Sequence, residues 1–340
     1  MINAPALLNQ LIAKQDLERS QMLALMHAIM GGELSPTLIA GLLIALRCKG
    51  ETVVEIAAAA EVMRELSSKV PLTEAPCLVD TCGTGGDGTH TFNISTAAAL
   101  TAAAAGASVA KHGGRSVSST SGSADVLEAL GVNVNLTPPQ VAHCVREIGI
   151  GFMFAPNHHS AMKHAAPVRR ELAVRTLFNL LGPLTNPADA PNQVLGVYAQ
   201  NLTRKLAEVL RLLGSRHVLV VHGADGMDEL SLSGISHIAE LKDGQLSEFT
   251  VTPEQFGLQR ADNVSLAVNS VTDAKAMLIA ALTNQYRAAS EIVALNAGAA
   301  IYVAGISATL EQGVDLAQQQ ISSGAAYRKL EQLIIHSAHV

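Results

Sequence analysis

Asp80-Thr81-Cys82-Gly83-Thr84-Gly85-Gly86-Asp87-Gly88 follows the apolar run Cys77-Leu78-Val79 and precedes Asn93-Ile94-Ser95-Thr96 and an alanine-rich segment. The pattern predicts a strand, a glycine-rich turn and a helix. Glycine reaches positive φ and has no Cβ, so the turn can approach a bulky group closely. A helix start just beyond it offers free N–H groups and a positive dipole end. A tight strand–helix turn needs one or two glycines. It does not need three in four positions, an aspartate, and the side chains of Thr91, Asn93, Ser95 and Thr96. Phosphate is the simplest cargo. The run GTGGDG lacks the later acidic residue of a dinucleotide fingerprint, and no GK[ST] closes it as a Walker loop.

Working outward, short apolar runs at 77–82, 107–111, 132–136, 150–155, 193–199 and 217–223 read as strands. Helical patterns at 95–105, 123–130, 138–148 and 201–213 lie between most of them. Such alternation predicts βαβ units and a mainly parallel sheet. His237–Phe249 reads as a hairpin about an Asp243-Gly244 turn. Residues 1 to about 70 show helical patterns without a strand. Leu7, Leu8, Leu11 and Ile12 share a face, Ser35-Pro36 marks a helix start, and Glu51–Leu66 gives a fourth helix. The strandless stretch 159–180 is expected to pack back on these helices. The organisation expected is a helical domain over 1–72, joined by 160–185, and an α/β domain over 73–340. Residues 270–335 are helical again.

Composition sets further bounds. The 340 residues are 49% hydrophobic and 15% charged, with no tryptophan, so the chain is globular and its core is mostly Ala, Leu, Val and Ile. Mean hydropathy of +0.28 raises the question of a membrane. The most apolar stretch, Ala97–Ala110, is mostly alanine and broken by Thr101, Gly106 and Ser108, which favours a tightly packed helix and strand. No secretory leader is read at the N-terminus. Cys48, Cys77, Cys82 and Cys144 form no CxxC pair and read as reduced, mostly buried thiols of a cytoplasmic protein. Net charge is −6 with no basic run, against a nucleic-acid or membrane-surface binder.

Three more clusters carry chemistry. Lys111-His112-Gly113-Gly114-Arg115-Ser116-Val117-Ser118-Ser119, continuing to Ser123, leaves a strand on the same sheet edge as the first loop, where ligands of open α/β sheets bind. Its cations and hydroxyls suit a polyphosphate. Asp228-Glu229 follows another strand, and adjacent carboxylates there suit Mg²⁺ bridged to substrate phosphates. His158-His159, Arg169 and Asn179–Pro187 form the last cluster. Zinc is disfavoured because the histidines lack partners at ligand spacing except His164. Arg169 can hold a carboxylate through two parallel hydrogen bonds.

Together and in order, these stretches resemble the anthranilate phosphoribosyltransferase family over nearly the whole chain, most closely at Ser121–Gly131. The resemblance implies the nucleoside phosphorylase/phosphoribosyltransferase fold: a small helical domain and a large α/β domain with a mainly parallel sheet. It implies transfer of the phosphoribosyl group of phosphoribosyl pyrophosphate to anthranilate in tryptophan biosynthesis, by a Mg²⁺-dependent homodimer that pairs through the helical domain. Carried over by position, Gly83, Gly86, Asp87, Thr91, Asn93, Ser95 and Thr96 hold the donor, and Lys111 to Ser119 with Ser123 cover it. Ser95, Asp228 and Glu229 position Mg²⁺. Gly83, Gly114, His112, His159, Arg169 and Gly182-Pro183 line the anthranilate path. Where this chain has Gly114 the family usually has asparagine, whose amide helps hold anthranilate. Asn269–Asp273 also departs from the family's usual turn. The rival readings are a pyrimidine nucleoside phosphorylase, which shares the architecture, and a non-catalytic nucleic-acid-binding relative.

Overall fold

The computed structural model describes residues 2–72, 75, 77–115 and 121–340. A seven-stranded sheet organises them in the order β3-β2-β1-β4-β5-β6-β7. The strands are β1 (Leu78–Gly83), β2 (Ser108–Gly113), β3 (Ile150–Phe154), β4 (Asn192–Gly196), β5 (His217–Gly223), β6 (Ser236–Lys242) and β7 (Gln245–Val251). β1 to β5 run parallel, so their carboxyl ends share one edge of the sheet. β6 and β7 close the other side as an antiparallel hairpin. Its turn is Asp243-Gly244, with both φ angles positive at 48° and 81°, as a two-residue hairpin turn requires.

The sheet separates two apolar clusters. Along β5, Leu219 and Val221 join one cluster while Val218 and Val220 join the other, the two-residue alternation of a strand buried on both faces. The first cluster holds the alanine-rich Ile94–Ala104 helix and the Arg287–Val303 helix. Ala97 to Ala103 are at most 4% exposed, which decides the hydropathy question in favour of close helix packing. Gly298 and Gly313 serve the same end: a Cβ on Gly313 would lie 2.3 Å from the Gly298 carbonyl oxygen. Among the described residues no helix is long and apolar enough to cross a membrane.

The second cluster joins the opposite sheet face to the N-terminal helices Ala4–Ile12, Arg19–Met30, Pro36–Lys49 and Val53–Glu65. Ser35 caps the third of these by accepting the Leu38 N–H, as the Ser-Pro pair predicts. Val168, Leu177, Phe178, Leu180, Leu181 and Leu184 enter the same cluster, so the 160–184 stretch does pack back on the N-terminal helices. It does so as short pieces, Ser160–His164, Ala166–Leu172 and Phe178–Leu184, instead of one long helix.

Three expectations are corrected. Residues 132–136 are not a strand of the sheet. Val132, Val134 and Leu136 are buried in alternation, but the Asn133 N–H goes to the Ser337 hydroxyl on the C-terminal helix. Alternation reports one buried face and does not report what covers it. Ile12 leaves the face of Leu7 and Leu11 and is 64% exposed at the end of its helix. All four cysteines are free, but only Cys144 is fully buried.

Candidate active site

Four of the five parallel strands end on glycine: Gly83, Gly113, Gly196 and Gly223. Each clears space for a residue from another segment. Gly83 and Gly196 are register partners across β1 and β4. Asp228 lies on this pair, since a Cβ on Gly196 would fall 1.6 Å from its carbonyl oxygen and one on Gly83 would fall 2.4 Å from its Oδ2. At Gly113 a Cβ would meet Ser123 Oγ at 2.1 Å, and at Gly223 it would meet Asp225 Oδ1 at 2.5 Å. Absent side chains therefore bring the glycine loop, the Lys111 segment and the acidic pair to one edge.

The glycine loop leaves β1 with Gly85, Gly86 and Gly88 at φ of 66°, 72° and 79°. The Gly85 N–H donates to Asp228 Oδ2 at 2.8 Å, which ties the loop to the acidic pair. Asp87 accepts from the Thr89 N–H and hydroxyl. The Ile94–Ala104 helix starts next, and its first turn presents Ser95 and Thr96. The Thr96 hydroxyl is buried without a partner among the described residues. Asn93 does not cap the helix with its side chain; it exchanges hydrogen bonds with Ser121 across 3.1 Å. Thr91 pairs with Ala267 in an isolated antiparallel bridge, so it serves the loop's anchorage.

The acidic pair is held from behind. Asp225 accepts from the Met227 N–H and from the hydroxyls of Ser231 and Ser233. Asn296, buried in the long Arg287–Val303 helix, binds both backbone groups of Leu230 at 2.9 Å. Burial, and then the neighbouring Asp87 charge, push Asp228 up to about 7. Burial and the Asp228 charge push Glu229 well above the usual carboxylate range, against the pull of Lys111 and the Ser95 N–H. Such a pair favours binding a cation. Its oxygens and the Ser95 hydroxyl suit a hard one. Among the described residues no group of three or more His, Cys, Asp or Glu side chains could hold a metal alone.

Lys111 is not part of a mobile cover. It is 3% exposed, and its Nζ donates to the Thr81 carbonyl and the Ser95 hydroxyl. Burial lowers its pKa, while Asp80, Cys82 and Glu229 oppose that. Asp80, fully buried below it, accepts the His112 N–H at 3.1 Å. Gly113 lies over Ser123, whose hydroxyl donates to the Gly114 carbonyl at 3.4 Å. Arg115 is exposed and engaged by Asp125 and Glu128. Ser116, Val117, Ser118 and Ser119 lie outside the described residues.

A second half of the site adjoins the first. The His112 and His159 rings lie 5.1 Å apart between centroids. The Gly182 backbone favours protonation of His112 and that of Thr185 favours protonation of His159, but burial outweighs both. Both Nε2 atoms are buried with no hydrogen-bond partner among the described residues. Asn186 and Gln193 fasten this segment to the sheet, by bonds to the Ala110 and Pro183 carbonyls at 2.9 and 2.7 Å. Pro183 is buried in the Phe178–Leu184 helix. Arg169 lies 5.3 Å from the Phe178 ring centroid and has no ion-pair partner among the described residues. Among the described residues the nearest atom to a Cβ on Gly114 is the Ala155 Cβ at 4.0 Å, so none of them requires glycine there.

Asp80, Asn186, Gln193, Asp225 and Asn296 escaped the sequence reading as site residues. A charged Asp80 inside an apolar strand was the one legible signal, because such a group needs a buried partner.

Comparison with known proteins converges on one family. The model of the glycosyl transferase family a/b domain matches residues 75–327, and that of the family's helical bundle domain matches residues 5–67. Anthranilate phosphoribosyltransferase of Thiobacillus denitrificans is 61% identical over 99% of this chain and 98% of its own. The chain belongs to the anthranilate phosphoribosyltransferase family. The Nitrosomonas europaea relative is 57% identical over 100% of this chain and 99% of its own. The crystal structure of the Thermus thermophilus enzyme matches with a TM-score of 0.92 at 44% identity, covering 99% of this chain and all of that one. The Saccharomyces cerevisiae enzyme in complex with PRPP and Mg matches with a TM-score of 0.90 at 26% identity, covering 99% of this chain and 98% of that one.

The glycine seat and the buried histidines can each be tested. Gly196→Ala forces a Cβ onto the Asp228 backbone, which no rotamer can relieve. It costs about 1–3 kcal/mol in urea denaturation, and an unchanged midpoint would contradict the packing. The histidines make stability depend on pH. Burial holds His112, His158 and His159 below the ordinary histidine value, His159 at about 4 against 6.5. The unfolded chain then binds more protons between these values, so stability is full above 6.5 and is lost as pH falls toward 4. From about pH 7.5 to about pH 5, His159 alone contributes a loss of about 2 kcal/mol. His159→Gln flattens that part of the profile.

Proposed function

We propose that this chain transfers the phosphoribosyl group of phosphoribosyl pyrophosphate to anthranilate, giving N-(5-phosphoribosyl)anthranilate and pyrophosphate in tryptophan biosynthesis. The observation that carries this reading is Asp228 seated on Gly83 and Gly196 and bonded to the Gly85 N–H. It joins an acidic pair to a phosphate-type glycine loop in one rigid unit. Relatives at 61% and 57% identity bear the same name, which supports this reading over a phosphorylase.

In this reading the donor's diphosphate lies along Gly85–Asp87 and the start of the Ile94–Ala104 helix, where Thr96 offers its hydroxyl. Gly83, Asn93 and Ser123 border it, and Lys111 supplies positive charge from the floor. Ser95, Asp228 and Glu229 hold Mg²⁺. Their hard oxygens and the raised carboxylate pKa values fit that ion. These residues would hold Mg²⁺, which would supply positive charge against the leaving pyrophosphate.

Arg169 has a partly buried guanidinium, with no ion-pair partner among the described residues, that takes the anthranilate carboxylate. His112 and His159 stay neutral at pH 7. Their buried Nε2 atoms, without a hydrogen-bond partner among the described residues, offer lone pairs to the amine. Ribose C1 gains positive character as pyrophosphate departs, and the amine attacks from the opposite face. No side chain is assigned as a strong general base, because an aromatic amine is already nucleophilic and releases its proton late. Positioning supplies most of the rate.

The same reading takes residues 1–72 with 160–185 as the helical domain and 73–340 as the α/β domain, on the strength of the shared apolar cluster. Homodimerisation through the helical domain and a cytoplasmic location complete it.

Anthranilate fluorescence tests the reading directly. With Mg²⁺ and phosphoribosyl pyrophosphate the signal falls. Asp228→Asn with Glu229→Gln slows that fall by roughly 100-fold at saturating Mg²⁺; unchanged turnover would remove the metal role. Gly114→Asn, whose Cβ meets no described atom closer than 4.0 Å, lowers the KM for anthranilate, by up to about tenfold for one added hydrogen bond. An unchanged KM would show that Gly114 does not face the acceptor.

A further inference from the structure

We infer that Arg175 is a positioning residue for the donor loop. It belongs to the segment between the Ala166–Leu172 helix, which carries Arg169, and the Phe178–Leu184 helix, which carries Gly182-Pro183. Its guanidinium Nη2 donates to the Gly86 carbonyl in the glycine-rich loop. The guanidinium carbon lies 4.0 Å from the centroid of the Tyr198 ring, two residues beyond β4. The Tyr198 N–H donates to Thr84 Oγ1 at 3.2 Å, and the Thr84 N–H donates to the Gly196 carbonyl at 2.9 Å. Arg175 thus grips the loop at its tip while Tyr198 and Gly196 grip it at its base.

The grip has a chemical consequence. The peptide bond is trans, so the N–H of Asp87 points opposite to the Gly86 carbonyl. Fixing that carbonyl toward Arg175 fixes the Asp87 N–H away from it. Gly85 and Gly86 both have positive φ, so neighbouring peptide units can otherwise turn at little cost. A charged, planar donor stacked on an aromatic ring is a rigid clamp for one of those units. The donor loop is thereby tied to the segment that holds the acceptor residues, while Arg175 itself need touch neither substrate.

This inference rests on the proposed transfer reaction, and steady-state kinetics with both substrates test it. The unmodified chain establishes turnover first; no turnover overturns the reaction and the clamp together. Arg175→Met keeps an apolar stem over Tyr198 and removes the donor group. It raises the KM for phosphoribosyl pyrophosphate about tenfold, the loss of one charge-assisted hydrogen bond. The KM for anthranilate and the thermal midpoint stay in place. Arg175→Lys, which keeps a cationic donor, recovers part of the donor KM. Turnover by the unmodified chain with a normal donor KM in Arg175→Met overturns the clamp alone. So does a parallel change in both KM values and the thermal midpoint, which marks a merely structural arginine.

Discussion

The contact on which the site depends is the seat of the Asp228 backbone on two glycines paired across β1 and β4. A Cβ on Gly196 would leave 1.6 Å to the Asp228 carbonyl oxygen, far inside any tolerated separation. Only a strand pair without side chains lets the 225–230 loop descend onto the sheet edge. From there Asp228 reaches the Gly85 N–H, and the glycine loop is fixed. Asp225 and Asn296 hold the loop from behind, so the seat is enforced from both sides. A site assembled this way costs little reorganisation when charge develops, which is the condition for electrostatic catalysis.

Charge burial is the second theme. Lys111 and Asp80 lie beneath the site, 3% and 0% exposed. Burying two charges is costly, and the cost is offset only where each is well bonded. Asp80 accepts the His112 N–H, and Lys111 meets the Thr81 carbonyl and Ser95 hydroxyl. These bonds link β1 and β2 beyond the register partners Leu78–Ser108 and Val79–Val109. The acidic pair above them is raised in pKa because burial disfavours its charge and neighbouring carboxylates repel it. The two halves of the site contrast: a buried acidic pair that disfavours its own charge on one side, and on the other neutral imidazoles beside an arginine with no ion-pair partner among the described residues.

Much of this was legible in the sequence where local rules apply. Strand–glycine–helix alternation gave the parallel sheet, Asp243-Gly244 gave the hairpin, and Ser35-Pro36 gave a helix start. The clusters around Gly83, Lys111, Asp228 and Arg169 pointed to their segments because their composition exceeds what a turn needs. Residues 132–136 misled because alternation is the same whether a helix or a strand covers the buried face. Lys111 read as part of the segment covering the donor, since nothing local reveals Asp80 beneath it. Arg175 and Asn296 carried no signal, because their partners are 89 and 66 residues away in the chain.

The sequence by itself determined the order of elements, the glycines at the strand ends and the kinds of group available for phosphate, cation and carboxylate. Those follow from backbone preference and side-chain chemistry, which are local. Only the tertiary structure decided that Gly83 and Gly196 are register partners, that Asp228 occupies the space they leave, and that the Nε2 atoms of His112 and His159 are buried. Those depend on strand order and burial, which arise when distant segments exclude water together.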